Sequence, residues 1–238
     1  MLSSVLRDGM NLTTVIAYIL SSLAVVFLTL PVHEFAHAFT ASKLGDPTPR
    51  YQGRLTLNPF AHIDYFGALC ILLFGFGWAR PVQVESRYFK NPKWGMALTA
   101  AAGPLANIIM AALSMLLANT VLFIAMPSYF SEGVLSAFLL PVAVRVIYGI
   151  FYYIAQINIY LAVFNLVPIP PLDGSRVLFA FLPQKYYFKF MRYERYIFIG
   201  LLALIWIGVL NIPLDFLSNN IFAFVKWLTA LPFKLFAR

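Results

Sequence analysis

His33, Glu34, Phe35, Ala36 and His37 form an HExxH run. On a helix, residues four apart lie on one face, one turn from each other. Two imidazoles so placed can bind a single Zn²⁺, and the neighbouring carboxylate of Glu34 is set to take a proton from water made acidic by the metal. The plainer alternative is that Glu34 pairs with another buried polar group to pack helices. Against it, His33 and His37 are two of only three histidines in 238 residues. A catalytic zinc of this kind takes a third protein ligand. His62, Asp64 and Asp173 are the candidates. Asp173 closes the stretch Asn165-Leu-Val-Pro-Ile-Pro-Pro-Leu-Asp173-Gly174, whose prolines limit ordinary helix. An Asp-Gly turn at a helix end is the plain reading of that stretch taken alone.

The elements that must position these groups are unusual. Hydrophobic residues make up 61% of the chain and charged residues only 11%, with a mean hydropathy of +0.81. A soluble domain carries about 25% charge, so a water-soluble or disordered chain is excluded. The apolar residues fall in continuous blocks rather than alternating strands, which argues against a β-barrel. The expected class is an all-α polytopic membrane protein in which lipid is the solvent. The net charge is +8. Its positive residues lie between apolar blocks, as expected for cytosolic loops facing anionic lipid and not for a nucleic-acid surface. Cys70 is the single cysteine, so no internal disulfide can form. The first apolar run is too long for a signal-peptide core and reads as a retained helix.

Along the chain, Leu12–Ser42 reads as one helix roughly 46 Å long, interrupted only by Pro31. Residues 46–64 read as a polar loop with short-strand character at Tyr51–Leu57. Tyr65–Ala79 is short and glycine-containing, as in a re-entrant segment. Arg80–Gly95, with alternating Val82 and Val84, reads as a short hairpin. Met96–Met126 and Val134–Val167 are long blocks joined by a turn at 127–133, the second broken at Pro141. Residues 168–182 read as a proline-rich loop or helix end, 183–195 as an aromatic, basic connection, and 196–212 as a span. Residues 213–238 read as a last span or an interfacial helix. The sum is about five to six membrane helices, a re-entrant segment and a short β-hairpin near the site. All belong to one membrane-embedded domain over 1–238, with its core at 12–182 and C-terminal helices at 196–238. With the N-terminus outside and 65–79 re-entrant, nearly all Lys and Arg fall on the cytosolic side. Glu34 then lies about 14 Å up the helix from Lys43. A carboxylate at such depth costs at least ~2.5 kcal/mol, which calls for a function.

HEFAH in a membrane helix, Ala102-Gly-Pro-Leu-Ala-Asn107, and NLVPIPPLDG at 165–174 together resemble the site-2 protease family of intramembrane zinc metalloproteases. The motifs Leu57-Asn-Pro-Phe-Ala-His-Ile-Asp64 and Phe76-Gly-Trp-Ala-Arg-Pro-Val82 resemble its compact branch, which carries no PDZ or CBS domain. The resemblance covers about residues 12–180. It implies that His33, His37 and Asp173 hold Zn²⁺. It also implies that Glu34 is the general base and then protonates the leaving amine, and that Asn165 holds substrate or stabilises the oxyanion. An interhelical hydrogen bond is the plainer role for Asn165. Small residues in the 102–107 motif let helices approach closely with or without catalysis. His62 is open between a structural loop residue, a proton relay and a direct ligand. Ser175 stands where many relatives have a second glycine.

The implied reaction is peptide hydrolysis inside the bilayer, on a membrane-protein substrate, with a single-span helix expected. That helix must unwind before water can attack. An extended segment at 79–85 has free edges to pair with it through Val82 and Val84. Water is expected from the cytosolic side, past residues 46–64 and 80–95. The expected location is the plasma membrane of a prokaryote, multi-pass, with the site facing the cytosol and no nucleic-acid partner. The rival classes are a metal or proton-coupled transporter using the same ligands, and a membrane scaffold with a structural metal. Transporters often show internal repeats, and none is visible. Structural zinc is usually closed by four protein ligands, and only three good ones are evident.

Overall fold

The computed structural model describes residues 12–74, 78–132, 140–183 and 193–236. Among these the protein is helical and has no sheet. Helix α1 runs Leu12–Lys43, α2 Thr48–Tyr51, α3 Pro59–His62 and α4 Tyr65–Phe74. Then come α5 at Pro92–Ala125, α6 at Ser128–Glu132, α7 at Val142–Asn165 and α8 at Asp173–Phe181. Two more follow, α9 at Glu194–Ile207 and α10 at Asn211–Phe236. Helices α1, α5 and α7 are long and apolar enough to cross a membrane. Their outward faces are rich in exposed Leu, Ile and Phe, as lipid-facing surfaces are.

Pro31 does not end α1. A π turn at Val25–Thr29 precedes it, and α-helix resumes at Leu30. The proline ring would otherwise meet the carbonyl of Phe27, four residues back, and a wider turn relieves that clash. The first half of α1 is keyed to α7. Ser21 Oγ donates to the Ile150 carbonyl at 2.9 Å, and Asn158 Nδ2 donates to Thr29 Oγ1 at 3.2 Å. Tyr18, Val25, Val26 and Leu30 pack there with Ile154, Ile157 and Leu161.

Helix α5 is central and touches α1, α7, α8 and α10. Its start is set by Asn91, whose side chain accepts from the Trp94 N–H, with Pro92 at the first position; both are favourable there. Its buried face is made of small residues: Ala97, Thr99, Ala100, Gly103, Ala106, Ala111 and Ala118. Without a hydrophobic drive between helices in lipid, such a face permits the close backbone approach on which packing depends. Farther along, Asn119 Nδ2 donates to Thr229 Oγ1 of α10 at 3.1 Å.

Four expectations are corrected. Arg80–Gly95 forms no hairpin: residues 80–85 are extended without a partner strand, Ser86–Tyr88 is a single 3₁₀ turn, and α5 begins at Pro92. The only pairing there, among the described residues, is an isolated antiparallel bridge between Ile63 and Ala79. The valine alternation reflects burial on one side, because Val82 is buried and Gln83 exposed, and not a strand pair. Tyr51–Leu57 is not a strand but the end of α2 and a turn, with the Arg54 side chain bonded to the Ala61 carbonyl. The 168–182 segment holds a true helix, α8, from Asp173 itself. The expected span at 196–212 ends earlier, at Ile207. Parts of the expected elements at 65–79, 134–167 and 183–195 lie outside the described residues, namely 75–77, 134–139 and 184–192.

Candidate metal centre

Helix α1 delivers His33, Glu34 and His37, all buried in its last three turns. The two imidazoles stand edge to face, with ring centroids 4.7 Å apart and Nε2 atoms 3.0 Å apart. Asp173, the first residue of α8, closes the triangle. Its Oδ2 lies 3.4 Å from His33 Nε2 and 3.3 Å from His37 Nε2. Among the described residues these three form the group able to hold a metal ion.

The donor chemistry fits a cation. His37 Nδ1 donates to the Thr99 carbonyl at 2.7 Å, so Nδ1 is protonated and Nε2 is the nitrogen a neutral ring would offer to a metal. Burial alone would raise the Asp173 carboxyl. The charge and hydrogen bonding of the His37 and His33 imidazoles outweigh that, and hold it well below the usual carboxylate range. An anionic oxygen and facing ring nitrogens repel one another at this range unless a positive charge lies among them. Zinc bonds of ~2.0–2.1 Å in a tetrahedron place ligand atoms roughly 3.3 Å apart. The three observed separations match that spacing.

Two glycines let the backbones close on this triangle. A Cβ on Gly103 would overlap His37 Nε2 and lie 2.6 Å from Cε1 of His33. A Cβ on Gly174 would overlap the Leu166 carbonyl at the end of α7. Gly174 thus lets α8 start directly against the last turn of α7, which brings Asp173 beside α1. Ser175 does not disturb that turn; its hydroxyl donates to the Leu172 carbonyl at 2.7 Å. At the other end of α8, Lys93 Nζ donates to the Leu182 carbonyl at 2.8 Å and ties α8 to the start of α5.

The extended 80–85 segment lies over the site. The Val82 N–H donates to Glu34 Oε2 at 3.1 Å, and the Glu85 N–H donates to Asp46 Oδ2 at 2.8 Å. The Arg80 N–H reaches the His62 carbonyl at 2.7 Å, and Gln52 donates to Gln83 at 2.8 Å. The segment is therefore a tethered strap. Beneath it is a cavity of about 440 Å³ bounded by the triad, Glu34, Val82, Val84, Asn165 and Asn107. Arg176, one turn beyond Asp173, and the short helix α9, through Phe198 and Leu201, complete its wall.

Other candidates are placed elsewhere. His62 is fully buried, and its Nε2 donates to the Thr56 carbonyl at 2.8 Å, so it staples the 56–62 loop. Asp64 accepts from the Gly67 N–H at 2.9 Å and starts α4. Sequence reasoning missed Thr99, Asp46 and Asn107. Thr99 and Asp46 act on the site through a backbone carbonyl and by gripping backbone N–H groups, which residue type does not reveal. Asn107 lay within a motif read only as helix packing.

The model of peptidase family M50 matches residues 21–208. The chain belongs to this family, the site-2 protease family. It is 41% identical over 191 residues to "Putative zinc metalloprotease YwhC" of Bacillus subtilis (strain 168), covering 79% of this chain and 82% of that one. It is 29% identical over 156 residues to "Putative zinc metalloprotease Rip2" of Mycolicibacterium smegmatis, and 31% identical over 157 residues to Rip2 of Mycobacterium tuberculosis. The matched part spans about half the Rip2 chains, 53% of each. No solved structure matches.

Proposed function

We propose that the protein is an intramembrane zinc metalloendopeptidase, cutting membrane-protein substrates in or near their transmembrane segments. The observation that carries this is the convergence of His33, His37 and Asp173 at 3.0–3.4 Å, with Glu34 beside them on the cavity wall. Zinc held there would lower the pKa of a water and polarise a substrate carbonyl. Glu34 accepts the water proton and returns it to the leaving amine. Its second oxygen is held by the Val82 N–H, which fixes the carboxylate's orientation. Asn165, ending α7 on the cavity wall, donates its amide to the developing oxyanion. The unwound substrate lies extended beside the strap at Val82 and Val84 and pairs with backbone groups that the tethers leave unused.

The topology that goes with this reading has α1, α5 and α7 crossing the bilayer. Helix α4 re-enters without crossing, α9 completes the cavity wall, and α10 packs against α5 and α7. The triad then faces the cytosolic side of a prokaryotic plasma membrane, where the positive residues gather. The transport alternative finds no support in the geometry or the relatives.

Cleavage of a model single-span protein in proteoliposomes tests the reading. Wild type cuts it; Glu34→Gln retains one zinc per chain and cuts at least ~10²-fold more slowly. Equal cleavage by the two would end the reading.

A further inference from the structure

Asn107 is 1% exposed, and neither its amide nitrogen nor its amide oxygen has a hydrogen-bond partner. It nevertheless borders the catalytic cavity. It lies on the α5 face that carries Thr99 and Gly103, at spacings of four residues. Thr99 bonds His37, and Gly103 abuts both imidazoles. Asn107 is therefore one turn, about 6 Å, past the ligands along α5. The wall of the same cavity includes Leu30, Leu161 and Leu201.

An unpaired amide in such surroundings is costly. A carboxamide also has the matching shape for a peptide unit, since it donates to a C=O and accepts from an N–H at once. An unwound substrate presents freed groups of that kind. We infer that Asn107 is a substrate-positioning residue. It grips one peptide unit of the unwound chain, roughly two residues from the bond being cut, because each extended residue covers about 3.3–3.6 Å. This rests on the peptidase reading. It gives the cavity a second anchor and so holds a stretch of chain straight across the triad.

The test uses the zinc-loaded full chain in detergent and two probes. One is acetohydroxamate, which can bind only at the metal. The other is an acetylated leucine tripeptide hydroxamate, with a set of analogues N-methylated at each single peptide nitrogen. Affinities are measured by calorimetry for wild type, Asn107→Ala and Asn107→Ser. Expected is a roughly tenfold to thirtyfold loss of tripeptide affinity in Asn107→Ala, with acetohydroxamate unchanged. One N-methylation should weaken binding to wild type yet make no difference in Asn107→Ala. A merely structural asparagine would lower both probes together, or leave every N-methyl penalty the same in wild type and variant. Either result overturns the inference. Should Asn107→Ala lose acetohydroxamate, Asn107→Ser is read by the same criteria, and parallel loss there also overturns it. Failure of acetohydroxamate to bind zinc-loaded wild type would count against the peptidase reading itself, and the inference would fall with it.

Discussion

The backbone N–H of Val82 donates to Glu34 Oε2 at 3.1 Å across 48 residues of chain. The acid beside the two imidazoles is thereby fixed by the strap that borders the cavity. Val82→Pro removes that donor and nothing from the triad. Cleavage should fall about tenfold to a hundredfold, since a hydrogen bond to a charged group is lost, with zinc content unchanged. Val82→Ala keeps the N–H and should stay within about threefold of wild type, where loss of a small buried side chain sets the limit. Equal rates for the two variants in the single-span cleavage assay would show that the N–H is not what matters.

Gly103 is the point where α5 meets both imidazoles. Gly103→Ala should weaken zinc binding roughly tenfold to a hundredfold, the scale of disturbing groups that orient metal ligands. Ala112→Ser, farther along the same helix, should leave it unchanged. Competition against a chelating dye measures both.

Asp46 is fully buried and holds two backbone N–H groups, Thr48 at 2.9 Å and Glu85 at 2.8 Å. Asp46→Ala releases one end of the strap and leaves two donors without their acceptor. It should cost about 2–4 kcal/mol of stability. Cleavage should drop while zinc is retained, and limited proteolysis should open new sites at 83–90. An unchanged digestion pattern would remove the tethering role.

Gly174 and Ser175 should respond in opposite ways. Gly174→Ala drives a methyl into the Leu166 carbonyl and should displace Asp173, with loss of zinc and activity together. Ser175→Gly loses only the Oγ bond to Leu172, worth about 1 kcal/mol, and should stay active. Thermal unfolding and metal analysis of the two variants decide this.

Asp173→Ala leaves two imidazoles without the anionic oxygen. Zinc content of the purified variant should fall below a tenth of wild type, since three protein ligands are the usual minimum for a catalytic site. Chelator-treated wild type should regain cleavage on zinc addition, whereas Asp173→Ala should not.

Much of the centre is legible in the chain. HExxH declares itself because helical spacing alone puts two imidazoles on one face. Asp173 could be named only because few acids are present and its motif resembles a known one; the contact itself depends on how α8 docks on α7. The strap is not legible in the sequence, since alternating valines look the same whether the backbone pairs with a strand or with carboxylates. Its real partners, Glu34 and Asp46, are far away in sequence. Thr99 is illegible for a related reason: its carbonyl acts, and every residue has one. The role of His62 is equally hidden, because its bond to Thr56 follows from a loop whose path the sequence does not specify.

The π turn at Val25–Thr29 has a mechanical meaning. It closes a wider i→i+5 loop, so a surplus residue is absorbed in α1 with the two halves of the helix left nearly in phase. Above it, α1 is phased to α7 through Ser21; below it, the same rod is phased to α5 through His37. Leu30, below the turn, still packs with Ile157 and Leu161 of α7, so one rod serves both neighbours across the wide turn. Deleting one residue of 25–29 would let the segment close as ordinary α-helix, and the Pro31 ring would then press on the carbonyl four residues before it. The helix that seats the imidazoles would then carry that clash, with His33, His37 and Asp173 all still present.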